Sequence, residues 1–103
     1  MFVEHLYFGT VRPNGQVSRE DWQAFLAETV TPRFPEGLTV WEASGQWRGS
    51  AGQVVREASY VLNIVHPNSE ASNRAVLELV NAYKGKFQQE SVLRTVGQTC
   101  VSF

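Results

Sequence analysis

Between Val54 and His66 apolar and polar residues alternate with a period of two. Ala58, Tyr60, Leu62 and Ile64 fall on one face, and Glu57, Ser59, Val61, Asn63 and Val65 on the other, the pattern of a strand. Leu38 to Arg48 reads as another strand, softly interrupted at Ser44-Gly45. Gly49-Ser50-Ala51-Gly52 is the reverse turn that joins the two into a hairpin. Elsewhere the period changes to that of a helix. Trp22, Phe25, Leu26 and Val30 share one face, with Ser18 as N-cap, Asp21 as its capping-box partner, and Val17 and Trp22 at the staple positions. Thr31-Pro32 ends this helix, because the residue before a proline avoids the α region. Val76, Leu79, Val80, Tyr83 and Phe87 line a second helix, capped at Pro67-Asn68-Ser69 and ending near Gly85. A short strand, His5-Leu6-Tyr7-Phe8, opens the chain and leads through Gly9 to a turn at Arg12-Pro13-Asn14-Gly15. A last strand begins near Ser91-Val92-Leu93 and continues past Gly97 towards Phe103.

Strand, helix, strand, strand, helix, strand is the ferredoxin-like β-α-β-β-α-β order of an α+β fold. It predicts one domain over residues 1–103, a four-stranded antiparallel sheet, and both helices on one face. The other face stays open. Its Glu57, Ser59, Val61, Asn63 and Val65 are too apolar for plain solvent and too polar for a core. That face is expected to meet a ligand or a second copy of the chain, since a small domain gains buried area by forming a homo-oligomer.

Composition narrows the function classes. The net charge is −1 and the nine Lys and Arg are scattered, so no basic stripe suits nucleic acid. Lys84 and Lys86 stand at a helix end, where cations answer the helix dipole. The single cysteine, Cys100, excludes an internal disulfide and Cys-rich zinc motifs, and its apolar surroundings predict a packing role. Met1-Phe2-Val3 runs at once into Glu4 and His5, unlike a signal peptide, and no apolar run is long enough to cross a bilayer. A cytoplasmic location without membrane contact is expected.

Leu6-Tyr7-Phe8-Gly9, Thr31 to Leu38, Gly45-Gln46-Trp47-Arg48, Arg56-Glu57-Ala58-Ser59 and Phe87 to Val92 resemble a bacterial and phage family, domain of unknown function 3574. The likeness runs from about residue 6 to residue 103. Many of its members carry a secretion or lipoprotein signal ahead of this domain. The family has no assigned activity, so the resemblance implies a site list and no reaction.

Among the candidate site residues, Arg33 lies between Pro32 and Pro35, a stiff link that could aim its guanidinium at a small anionic molecule. A structural ion pair with Glu36 or Glu57 is the alternative. Glu57, within a strand beside Ser59, and Glu90 are the candidate acid/base groups. For Glu57 the alternative is a salt bridge with Arg33, Arg48 or Arg94. Gln46, Trp47 and Gln89 could line a pocket with Ser59 or simply hydrogen-bond the loops. His66, just before Pro67, reads as a solvated loop histidine, and no spacing of His5, His66 and carboxylates suggests a metal site. There is no nucleophile elbow, glycine-rich phosphate loop or dinucleotide fingerprint, so no cofactor is expected. Tyr7 and Tyr83 read as core aromatics with a polar tip.

Two functions stand open. One is a cofactor-independent acid/base enzyme of isomerase or lyase type, with Arg33 and Glu57 converging on a site at the open face or a subunit interface. The other is a noncatalytic binding or assembly module of a phage or bacterial system.

Overall fold

The computed structural model describes residues 1–103. In chain order the elements are β1 (Phe2–Gly9), β2 (Val11–Arg12), β3 (Gly15–Gln16), α1 (Arg19–Phe25) with a π-helical turn over Leu26–Val30, β4 (Thr39–Arg48), β5 (Val54–His66), α2 (Glu70–Phe87) and β6 (Leu93–Gln98). The main sheet has the order β4-β5-β1-β6 and every neighbouring pair is antiparallel. β2 and β3 form a separate hairpin that the sequence pattern shows only as a turn.

Helix ends follow the side chains expected of them. Ser18 Oγ accepts from the Asp21 N–H at 3.0 Å while Asp21 accepts from the Ser18 N–H, closing a capping box. Pro32 cannot donate to the Glu28 carbonyl and crowds it. The last turn widens instead, with the Thr31 N–H reaching the Leu26 carbonyl at 2.9 Å. Ser69 caps α2 by accepting from the Ser72 N–H. The residue that ends α2 in the left-handed region is Gln88 (φ 57°), three positions beyond Gly85.

One apolar cluster fills the space between helices and sheet. β1 contributes Leu6 and Phe8, and β5 contributes Leu62 and Ile64 from the same face. Against them pack Trp22, Phe25 and Val30 from the first helical segment, and Val76, Leu79, Tyr83 and Phe87 from α2. Burying each such side chain is worth roughly 1.5–3 kcal/mol. Phe8 lies 4.6 Å from Tyr83 and 5.1 Å from Trp22, ring to ring, and Trp22 stacks on Tyr60 at 4.5 Å.

Four sequence expectations are corrected. His66 is buried, not solvated: its Nδ1 donates to the Pro67 carbonyl at 2.7 Å and its Nε2 meets the fully buried Glu4 carboxylate. Arg94 reaches across from β6 to both Glu4 oxygens and to Asn73 of α2. The last strand stops at Gln98, and Cys100, beyond it, is exposed and has no packing role. β4 runs unbroken through Ser44-Gly45, because both residues keep register with Ala58 and Glu57.

Removing one member of the Glu4–His66–Arg94 cluster leaves charge in the interior without its partner. Glu4→Gln is expected to lower the unfolding free energy by about 3–5 kcal/mol, while Arg19→Ala, which breaks the exposed pair with Glu42, changes it by less than about 1 kcal/mol. Urea unfolding of the two variants checks this contrast.

Candidate functional site

β1 leaves the sheet at Gly9, and the next two N–H groups, of Thr10 and Val11, have no strand to pair with. Glu57 supplies the partner. Its Oε2 accepts from Thr10 N at 3.1 Å and Val11 N at 2.8 Å. This is possible because the period-two pattern of β5 puts Glu57 on the open face, one step along the strand from Ser59, the register partner of Gly9. Gly9 itself has no positive φ; its lack of a side chain matters for space. A Cβ there would stand 2.8 Å from Glu57 Oε1.

Other contacts converge on the same corner. Tyr83, rising from α2 through the core, donates its hydroxyl to the Gly9 carbonyl at 2.5 Å. Thr10 Oγ1 donates to the Ala58 carbonyl at 2.6 Å. The left-handed Gln88 turns the chain after α2 so that Gln89 Nε2 donates to the Val11 carbonyl at 2.7 Å.

A cleft of about 640 Å³ lies over this corner on the open side of the sheet. Gly45, Ser59 and Gly9 give it a floor of small residues. Tyr7, Trp47 and Leu93, all exposed, are its apolar walls, and Gln88 to Ser91 form its rim. Of the seven candidate residues, Glu57, Glu90, Gln46, Trp47, Ser59 and Gln89 line this cleft.

Arg33 does not converge on Glu57. Its Nη1 donates to the Thr29 carbonyl at 2.9 Å and its Nε lies 3.5 Å from Glu78 Oε1 on α2. The neighbouring Phe34 packs against His66, and His66 lies nine residue steps along the strand from Glu57, about 30 Å of β5. The stiff proline link therefore serves an ion pair on the helix surface. With Arg33 removed, the cleft lining holds Glu57 and Glu90 and no lysine or arginine. The expected convergence of Arg33 and Glu57 on one site is corrected accordingly. The expected Glu57 salt bridge is also absent: no arginine pairs with it, and Arg94 is engaged by Glu4. Glu57 nevertheless has a structural task at Thr10 and Val11 that strand parity alone does not show.

Sequence reasoning missed Gly9, Gly45 and Gln88. Gly9 and Gln88 lie inside the segments Leu6 to Gly9 and Phe87 to Val92 that carry the family likeness, which is the signal that could have found them.

The chain belongs to the family described as "Protein of unknown function (DUF3574)", which matches residues 3–103. No curated protein matches the sequence. Two solved structures share the fold. A phage SAM lyase in complex with S-methyl-5'-thioadenosine superimposes with a TM-score of 0.74 at 19% identity, over 94% of this chain and 80% of that one. A phage SAM lyase in the apo state does so with a TM-score of 0.69 at 20% identity, over 93% and 78%. No helix of the chain is long and apolar enough to cross a membrane.

Burial pushes the Tyr83 phenol above the ordinary tyrosine range; the Glu57 carboxylate and Tyr60 add to this, and Arg12 opposes it. The folded protein thus keeps a proton that the unfolded chain releases. The stability tied to it is fully present below pH ~10 and falls as pH rises further, by one proton's linkage. Tyr83→Phe is expected to flatten that alkaline fall and to cost about 1 kcal/mol at neutral pH through the lost Gly9 contact. Urea unfolding between neutral and strongly alkaline pH tests both parts.

Proposed function

We propose that this chain is a small-molecule lyase, and that its cleft takes a sulfonium or thioether nucleoside of the class bound by the phage SAM lyase it resembles in fold. The observation that carries the reading is Glu57, a carboxylate fixed by two backbone N–H groups, without a cationic partner, facing an aromatic-walled cleft. Trp47 and Tyr7 suit the flat face of a purine, and aromatic faces also attract cations. Glu57 and Glu90 give the cleft negative charge matched to a cationic substrate, and Gln46, Ser59 and Gln89 add polar contacts.

SAM, S-adenosylmethionine, yields S-methyl-5'-thioadenosine when the bond between sulfur and the amino-acid carbon breaks. The bonding pair returns to sulfur, the substrate's own carboxylate oxygen closes on that carbon to give a lactone, and the sulfonium and carboxylate charges are lost together. No resident cofactor is needed for that step. We read the β-α-β-β-α-β connection as ferredoxin-like, with the site on the sheet face that the helices leave free.

A second copy of the chain is the expected cover for the rest of that face. Trp41 and Val65 are exposed on it beyond the cleft, and Val61 is buried between its register partners Tyr7 and Trp41. The accessible surface is 6651 Å², against about 5,800 Å² for a monomer of this mass. Sedimentation equilibrium is expected to show a homo-oligomer that Trp41→Lys dissociates; a wild-type monomer at high micromolar concentration contradicts it.

For the site, calorimetric titration with S-methyl-5'-thioadenosine is expected to give a dissociation constant of tens of micromolar, from about −0.3 kcal/mol per non-hydrogen atom over roughly 20 atoms. Incubation with SAM is expected to release S-methyl-5'-thioadenosine, and Glu57→Gln to abolish release in a protein that remains folded. Binding without release would leave the noncatalytic module. No binding of either nucleoside at millimolar concentration defeats the reading.

A further inference from the structure

The orientation of two side chains at the cleft floor specifies which group of the ligand belongs there. Glu57 Oε2 is used by the Thr10 and Val11 N–H groups, which leaves Oε1 as the oxygen turned to the cleft. Gln89 is fixed in the same way. Its Nε2 donates to two carbonyls, Val11 at 2.7 Å and Phe87 at 3.2 Å, and a carbonyl can only accept. The amide oxygen must therefore point away from them. Both free oxygens approach the spot that a Gly9 side chain would fill, at 2.8 Å for Glu57 Oε1 and 3.2 Å for Gln89 Oε1. They are thus no more than about 6 Å apart. Ser59, the register partner of Gly9 on the same face, lines the same cleft.

We propose that this corner is an ammonium-binding subsite, in which Glu57 Oε1 and Gln89 Oε1 accept from one primary ammonium group of the ligand and Gly9 keeps the space open. The inference rests on the nucleoside reading of the cleft and deepens it. A sulfonium centre has no N–H to give, so an amide oxygen oriented beside a carboxylate gains more from an ammonium. Chemistry points the same way. The sulfonium charge disappears as the carbon–sulfur bond breaks, and a carboxylate held against sulfur would stabilise the substrate more than the transition state. A carboxylate held against the ammonium has no such penalty, because that charge persists. The nucleoside and its sulfur then lie towards Trp47 and Tyr7, and Gln89 sets specificity for an amino-bearing tail.

The probes are 5'-deoxy-5'-(3-aminopropylthio)adenosine and its butylthio counterpart, in which a methyl group replaces the ammonium. Calorimetry on the wild type is expected to show about tenfold tighter binding of the aminopropyl compound. Gln89→Leu and, separately, Gly9→Ala should bring the ratio of the two affinities close to one, whatever either does to the butylthio affinity itself. The ratio is the diagnostic readout. A Gln89 that merely holds the loop would weaken both compounds alike, and that result overturns the assignment. Equal binding of the two compounds by the wild type also overturns it while leaving the nucleoside cleft in place. If neither compound binds to folded wild-type protein, the cleft reading falls and this inference falls with it.

Discussion

A strand that leaves a sheet exposes N–H groups that need a partner, and at the end of β1 the partner is Glu57. Two charge-assisted bonds to Thr10 and Val11 hold its carboxylate, each worth roughly 1.5–3 kcal/mol. The rest of the corner is organised around that contact. Tyr83 holds the Gly9 carbonyl from the core side, and Gln89 holds the Val11 carbonyl from the loop after α2. Three segments distant in sequence thus meet on three consecutive residues, Gly9 to Val11. The cleft is built on strand ends and a helix end, and not on a free loop, which is what a preorganised site requires.

The two ends of the same strands have separate tasks. At one end of β5, Glu57 keeps an oxygen towards the cleft. At the other, His66 closes the molecule with Glu4 and Arg94, where every polar atom of the Glu4 carboxylate is occupied. Between them lies the aromatic core of Phe8, Trp22, Phe25 and Tyr83, so the end carrying the cleft is joined to the locked end by close-packed rings. Arg33 belongs with the locked end, near Phe34 and His66, and no arginine forms an ion pair with Glu57 or Glu90 of the cleft.

Periodicity along β5 was enough to place Val54 and His66 at its ends and to put Glu57 and Ser59 on one face. The Ser18–Asp21 pair and the Thr31-Pro32 step were enough for the first helical segment. What the sequence could not show is pairing across the sheet. Glu4, His66 and Arg94 lie in three strands, and without the register there is no reason to associate them; His66 next to Pro67 has the look of a loop residue. Arg33 misled for a related reason. Two prolines show that a link is stiff and not where it points, and its partner Glu78 lies on a helix face that reads as plain solvent. Gly9 was legible only as a strand end, since the need for its missing side chain arises from Glu57 and Gln89, forty-eight and eighty positions away.

The most direct test is a crystal structure of the protein soaked with S-methyl-5'-thioadenosine. The nucleoside is expected in the cleft over Gly45, with its purine against Trp47 or Tyr7 and Glu57 still bound to the Thr10 and Val11 N–H groups. A nucleoside seated instead in the hollow at the opposite end, beside Met1 and Cys100, or a Glu57 that has left the backbone to pair with an arginine, would contradict it.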